Sequence, residues 1–348
     1  MNAKKQRIQY LDIAKGFGII LVVYGHLLRR QSIFETIKDY SIYIYSFHMA
    51  LFFFISGICL FLKFNDSDKD FSIKKECISL VKKLFVPYMV WSIIYIFFSK
   101  SVGEAFITKV KYVYTFHGIA PVWFLGTLFF CELCFLLLYK LIKKHKFSLL
   151  CIILINIACT FVIAFIRYEL NLKIFEKSET IDFLSISAGR LFACNSMLFM
   201  GYWFAKLKIL EKLKRVPSLI IGILCITALF FICYKTKNEI VLQFFNLGKY
   251  SFAKSSTLYF ICSVLGSLGI TLISYAIKSF GPLEYIGERS LGIMLLHYLP
   301  LPTMMYSVEF VSMFSTNIYL CLIISGIISI AICLFGIHLC RHKMYIFK

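Results

Sequence analysis

Two histidines, His26 and His48, stand near the facing ends of the first two apolar segments of this chain. The first segment runs Asp12-Ile-Ala-Lys15 through Gly25-His26-Leu-Leu-Arg29. The second runs Ser46-Phe47-His48-Met49-Ala50 and on to Ser56-Gly57. Imidazole is the side chain best suited to moving a proton near neutral pH. Ionisable groups are costly in hydrocarbon, so two of them close together mark a functional site by default. The pattern points to proton-transfer chemistry inside a membrane.

The elements that position these residues are membrane-spanning helices. Hydrophobic residues make up 60% of the 348, and charged residues only 16%. A span needs about 20 predominantly apolar residues. Ten stretches qualify, near residues 12–28, 42–62, 84–99, 122–141, 147–166, 185–205, 216–234, 256–277, 286–308 and 318–339. A soluble domain of this length would instead show amphipathic patterning and turn-rich breaks. The expected fold is all-α and polytopic, a single integral-membrane domain over residues 1–348, in a cell (plasma or inner) membrane.

A net charge of +20 raises the question of nucleic acid. With the N-terminus inside, the cytoplasmic segments hold 23 of the 38 Lys and Arg residues, against 14 in the outer loops. That asymmetry follows the positive-inside rule for an even number of spans with both termini cytoplasmic. The basic charge therefore reads as topology, and no nucleic-acid partner is expected. Most of the thirteen cysteines lie within apolar segments, where they act as small hydrophobes. The one close pair, Cys131-x-x-Cys134, sits mid-span, outside any strand–helix redox context. No metal site is expected.

The short connection from Arg29 to Tyr43 makes the first two spans antiparallel neighbours, so both imidazoles fall at similar depth in the outer leaflet. Lys15 and His26 are eleven residues apart, which puts them on nearly one helix face with ~16 Å between them. Asp12 is placed to pair with Lys15. The plainer reading is a snorkelling lysine and an interfacial histidine. Glu132 lies about ten residues into the fourth span, where a carboxylate needs a partner or a water-filled cavity. His297 falls halfway along the ninth, as a site residue or a helix–helix hydrogen bond. Trp123 reads as an aromatic-belt residue. Arg190 and Asn195 read as topology or packing before an acceptor groove, and Glu288 as pairing with Arg289.

These residues also carry a resemblance. A basic residue, ten residues and a histidine, followed by Phe47-His48-x-x-x-Phe52-Phe53-x-x-Ser56-Gly57, resembles the acyltransferase 3 family of integral-membrane acyltransferases, nearest its fucose 4-O-acetylase-like branch. Trp123-Phe124-Leu125 is similar to the family's Trp-Phe-Leu. Ser290-Leu291 running on to His297 resembles its late Ser-Leu…His segment, and Lys82-Lys83 before Pro87-Tyr88 its basic cluster. Where many members carry Arg-x-x-Arg in that inner loop, this chain has the adjacent Lys82 and Lys83.

The resemblance implies transfer of an acetyl group from acetyl-CoA, a substrate rather than a bound cofactor, to a hydroxyl of a surface polysaccharide or its lipid-linked precursor. On that reading His26 is the base and His48 and Arg29 assist. Lys15, Glu132, His297 and Trp123 support the site, and Lys82 and Lys83 hold the donor. The competing expectation is a carrier for a glycan or a small amino acid. A carrier favours paired broken helices at matching positions. Here only the ninth segment is interrupted by proline, at Pro300 and Pro302.

Overall fold

The computed structural model describes residues 8–30, 32–64, 72–98, 106–145, 147–168, 177–236, 256–299 and 304–340. Within them the chain is helical, with no strand. In order the helices are α1 (Gln9–Arg30), α2 (Ser41–Tyr45), α3 (His48–Phe64), α4 (Ile73–Leu80), α5 (Val86–Phe98), α6 (Phe106–Tyr114), α7 (Trp123–Lys144) and α8 (Ser148–Tyr168). They continue as α9 (Glu179–Lys206), α10 (Ile209–Lys212), α11 (Arg215–Thr236), α12 (Ser256–Ile277), α13 (Gly281–Glu288), α14 (Ser290–Leu296), α15 (Met304–Ser312) and α16 (Ile318–Cys340).

Nine helical runs among the described residues are long and apolar enough to cross a bilayer. They coincide with nine of the ten expected spans, and the protein is a multi-pass membrane protein. The expected span at 286–308 is the exception. It is divided among α13, α14 and α15, and residues 300–303, with Pro300 and Pro302, lie outside the described residues. The break described here falls earlier, at Arg289, whose backbone (φ −106°, ψ 9°) leaves the helical region. Gly287, two residues before it, lies against the α1 backbone: a Cβ there would come within 1.8 Å of the Asp12 carbonyl oxygen. Close packing on α1 fixes the direction of α13, and the chain turns at Arg289 to start α14.

A second departure concerns the inner polar stretch before the third span. Residues 73–98 form one helical run, with Ser72 capping its start by accepting from the Lys75 amide. Residues Val81–Phe85 form a π-helical turn within it. Such turns insert a residue into the helical register and shift which side chains share a face. Lys82 and Lys83 are therefore helical residues within a span, rather than members of a loop beneath it.

Helix pairs in hydrocarbon associate through close packing, which small residues permit. The α3–α9 crossing is built that way. A Cβ on Gly57 would sit 1.9 Å from the Leu198 carbonyl oxygen, and one on Gly201 1.9 Å from that of Phe54. Helix α1 is central, packing on α3, α12, α13, α14 and α16. That arrangement brings the late segment α13–α14 against the helix that carries Lys15 and His26.

Candidate functional site

His26 lies one turn before the end of α1, Tyr45 ends α2, His48 begins α3 after a two-residue turn, and His297 caps the end of α14. The Tyr45 hydroxyl is 3.3 Å from His26 Nδ1. The His26 ring lies 5.3 Å from that of His297 and 5.3 Å from that of Tyr298, centroid to centroid. On its other side Tyr45 meets the His48 ring edge-on at 4.9 Å. The Arg29 guanidinium sits over the Tyr45 ring, 4.9 Å from its centre. Tyr45 thus contacts both of the histidines expected at similar depth, and His297 joins His26 from far along the chain.

Backbone carbonyls fix two of the imidazoles. His48 Nδ1 donates to the Ile44 carbonyl at 2.8 Å, and His297 Nδ1 to the Ile293 carbonyl at 3.0 Å. A carbonyl only accepts, so Nδ1 carries the proton in both and Nε2 is the basic nitrogen of each neutral ring. Both residues are buried, His48 at 3% exposure and His297 at 0%. Tyr95 Oη donates to the Leu295 carbonyl at 2.8 Å and so ties α5 to the end of α14, two residues before His297.

The remaining sequence-derived residues divide between two further places. Lys15, Lys83 and Glu132 line one cavity of about 350 Å³, whose wall contains no histidine and includes Lys63 and Glu288. Lys15 Nζ contacts Asp12 Oδ1 at 3.2 Å, as expected from their spacing. Lys63 pairs with Glu76, and Glu288 lies 3.3 Å from Arg289. Lys63 and Lys83 share the cavity wall with Glu132. Lys82 is exposed and does not line the cavity, so the two adjacent lysines are not equivalent.

Trp123 lies in neither place. Its ring stacks under the guanidinium of Arg190, 4.8 Å away, and Arg190 is fully buried. Arg190 Nη2 donates to the carbonyls of Phe116 and His117 at 3.1 and 3.0 Å. Those carbonyls belong to the turn between α6 and a short 3-10 helix at Ala120–Val122, in which Phe116, Gly118 and Ala120 all have positive φ. Trp123, the first residue of α7, therefore packs on the arginine that pins the loop before it. Asn195 donates to Asn156 Oδ1 at 3.0 Å, a packing contact between α9 and α8.

Tyr45 and Tyr298 are the site residues the sequence reading missed. Each lies within three positions of a histidine that reading had selected, and that adjacency is the only signal either offered.

The family of an acyltransferase domain, acyltransferase 3, matches residues 8–336. The chain belongs to that family. The match covers both the histidine cluster and the cavity, and it supports membrane acyltransferase activity at the level of the family, without distinguishing a branch within it. No curated protein and no solved structure matches this acyltransferase significantly.

Proposed function

We propose that this acyltransferase is a membrane O-acetyltransferase that moves an acetyl group from acetyl-CoA to a hydroxyl of a cell-surface polysaccharide or its lipid-linked precursor, in the cell membrane. One observation carries the reading: α1 and α3 each present a cavity-lining face at one end and a histidine at the other, Lys15 and His26 on α1, Ser56 and His48 on α3. Two substrates approaching from opposite sides need such an arrangement.

The donor side is the cavity. A CoA ester carries phosphates, and Lys63 and Lys83 in the cavity wall suit them through charge-assisted contacts. The positive-inside asymmetry supports an orientation with this end towards the cytoplasm, the side from which a CoA ester would enter. Lys15, deeper along α1, helps hold the arm of the donor.

The acceptor side is the histidine cluster. A sugar hydroxyl is a poor nucleophile and needs a base at the point of attack. With its Nδ1 proton donated to Tyr45, His26 presents Nε2 as that base. Nε2 takes the hydroxyl proton as the sugar oxygen attacks the thioester carbonyl. The carbon–oxygen bond forms, the carbon–sulfur bond breaks, and CoA leaves as a thiolate that the His26 imidazolium protonates. His297 and Tyr298 hold the imidazole in place. The cationic Arg29, over the Tyr45 ring, stabilises the charge that develops, and His48 packs on Tyr45 and orients it.

The test is mass spectrometry of surface glycans from cells carrying wild-type or His26→Ala protein at equal abundance in the membrane. An acetyl-sized mass present with the first and lost with the second is the expected result. Identical glycans in the two strains would refute the mechanism and revive the carrier.

A further inference from the structure

The donor cavity stops short of the histidines, and two phenylalanines stand at the stop. Along α3 the wall is Phe52, Ile55, Ser56 and Cys59; along α7 it is Phe124, Leu128, Glu132 and Leu136. The α7 residues recur every fourth position, a single face about 18 Å long at 1.5 Å per residue. The charged groups Lys63, Lys83 and Glu132 lie towards one end of these faces, and Phe52 and Phe124 lie at the other. The two rings meet edge-on, 5.8 Å between centroids, and Phe53 meets Phe124 at 5.2 Å. Both are buried, Phe52 at 6% and Phe124 at 5% exposure.

Helix α1 seats the first of these rings. A Cβ on Gly18 would fall 2.9 Å from the tip of Phe52, so the absence of a side chain there is what lets the ring lie across the cavity end. Lys15, Gly18, Val22 and His26 follow one another at three- and four-residue spacing on α1. They therefore share a face that runs from the cavity, past the Phe52 ring, to the catalytic cluster. On α3 His48 is one turn beyond Phe52. The phenylalanine pair lies between the two compartments.

We propose that Phe52 and Phe124 set the size of the transferred acyl group, accepting acetyl and excluding chains of about four carbons or more by the loss of fit that each added methylene brings in a closed apolar site. The inference rests on the donor reading above. The carbonyl carbon has to reach the base beyond the rings while the thioester sulfur remains on the cavity side. The acyl tail then occupies the space that the two rings restrict. The bond changes are those already given: the acyl–sulfur bond breaks, the acyl–oxygen bond forms, and the hydroxyl proton passes through His26 to the leaving thiolate. Only the room for the tail is at issue.

The experiment uses membranes that contain the full chain and the cell's own acceptor, supplied with acetyl-, propionyl- or butyryl-CoA labelled in the acyl group. Label entering the glycan fraction is counted. The wild-type protein is expected to favour acetyl over butyryl by about 10- to 200-fold or more. Phe52→Ala and Phe124→Ala are expected to bring butyryl to within about threefold of acetyl, by recovering that same discrimination. Gly18→Ala, which pushes the Phe52 ring into the cavity end, is expected to lower propionyl transfer relative to acetyl. Phe52→Leu and Phe124→Leu carry the test if an alanine variant fails to accumulate. Unchanged acyl preference in stably inserted variants would overturn the proposal while leaving the donor reading intact. Absence of transfer from every thioester by the wild-type protein would remove the donor reading, and this proposal with it.

Discussion

The histidine cluster and the lysine-lined cavity hold their functional groups in opposite ways. In the cluster, short side chains touch one another and two imidazoles are fixed by hydrogen bonds to backbone carbonyls one turn earlier. In the cavity, long flexible side chains line an open volume, and Lys63 and Lys83 are themselves exposed. A group that must meet a reacting atom gains from being fixed beforehand, because misplacement raises the barrier directly. A group that holds a hydrated phosphate gains little from rigidity, since a point charge on a flexible stem finds its partner in many geometries. On the proposed function, chemistry belongs where the chain is packed and binding where it is open.

That contrast predicts a split in kinetics. The largest effect should come from His26→Ala. Loss of a general base costs about 10²–10⁴-fold in rate. The loss should appear in turnover at saturating donor, with the Michaelis constant for acetyl-CoA little changed. A change confined to the Michaelis constant would move His26 into the binding machinery and dissolve the comparison.

His297→Ala comes next. It removes the ring packed on His26 and leaves the base itself, so turnover should fall towards the smaller end of the same range, about 10²-fold. His297→Gln keeps a side chain able to donate to the Ile293 carbonyl, and partial recovery is expected. If alanine and glutamine behave alike, His297 does not act by holding the site.

Tyr45→Phe removes the hydroxyl that accepts the His26 Nδ1 proton and keeps the ring between the histidines. A typical net hydrogen bond contributes about 0.5–1.5 kcal/mol, so a rate loss of about two- to tenfold is expected. Measuring turnover in Tyr45→Phe, His26→Ala and the double variant sharpens the point. The hydroxyl should matter only while His26 is present, and independent losses would break the proposed contact.

The smallest effect separates the two neighbouring lysines. Lys83→Gln should raise the Michaelis constant for acetyl-CoA by about two- to fivefold, the scale of one exposed charge pair, and the effect should fade in high salt. Lys82→Gln, outside the cavity wall, should leave both constants unchanged. Equal effects from the two would return them to the sequence-level picture of an undivided basic cluster.

The sequence alone made the spans legible because hydropathy is a local property: about twenty apolar residues in a row have few alternatives to crossing a bilayer. It also singled out His26, His48 and Glu132 as candidates, because an ionisable residue in such a run stands out against its neighbours. The shared face of Lys15 and His26 followed from helical geometry within one element. Tertiary structure decided the rest. His297 reaches His26 across 271 residues because α13 packs against α1 at Gly287, and two glycines at the α3–α9 crossing show the same reliance on close approach. Lys83 lines the cavity and Lys82 does not, though both lie in one π-helical turn, and the ninth segment is broken at Arg289; neither alters composition. Arg190 was found pinning the loop before Trp123 through two carbonyls that no side-chain pattern encodes. Periodicity fixes which residues share a face; which faces meet depends on packing between helices, and that is settled only when the whole bundle closes.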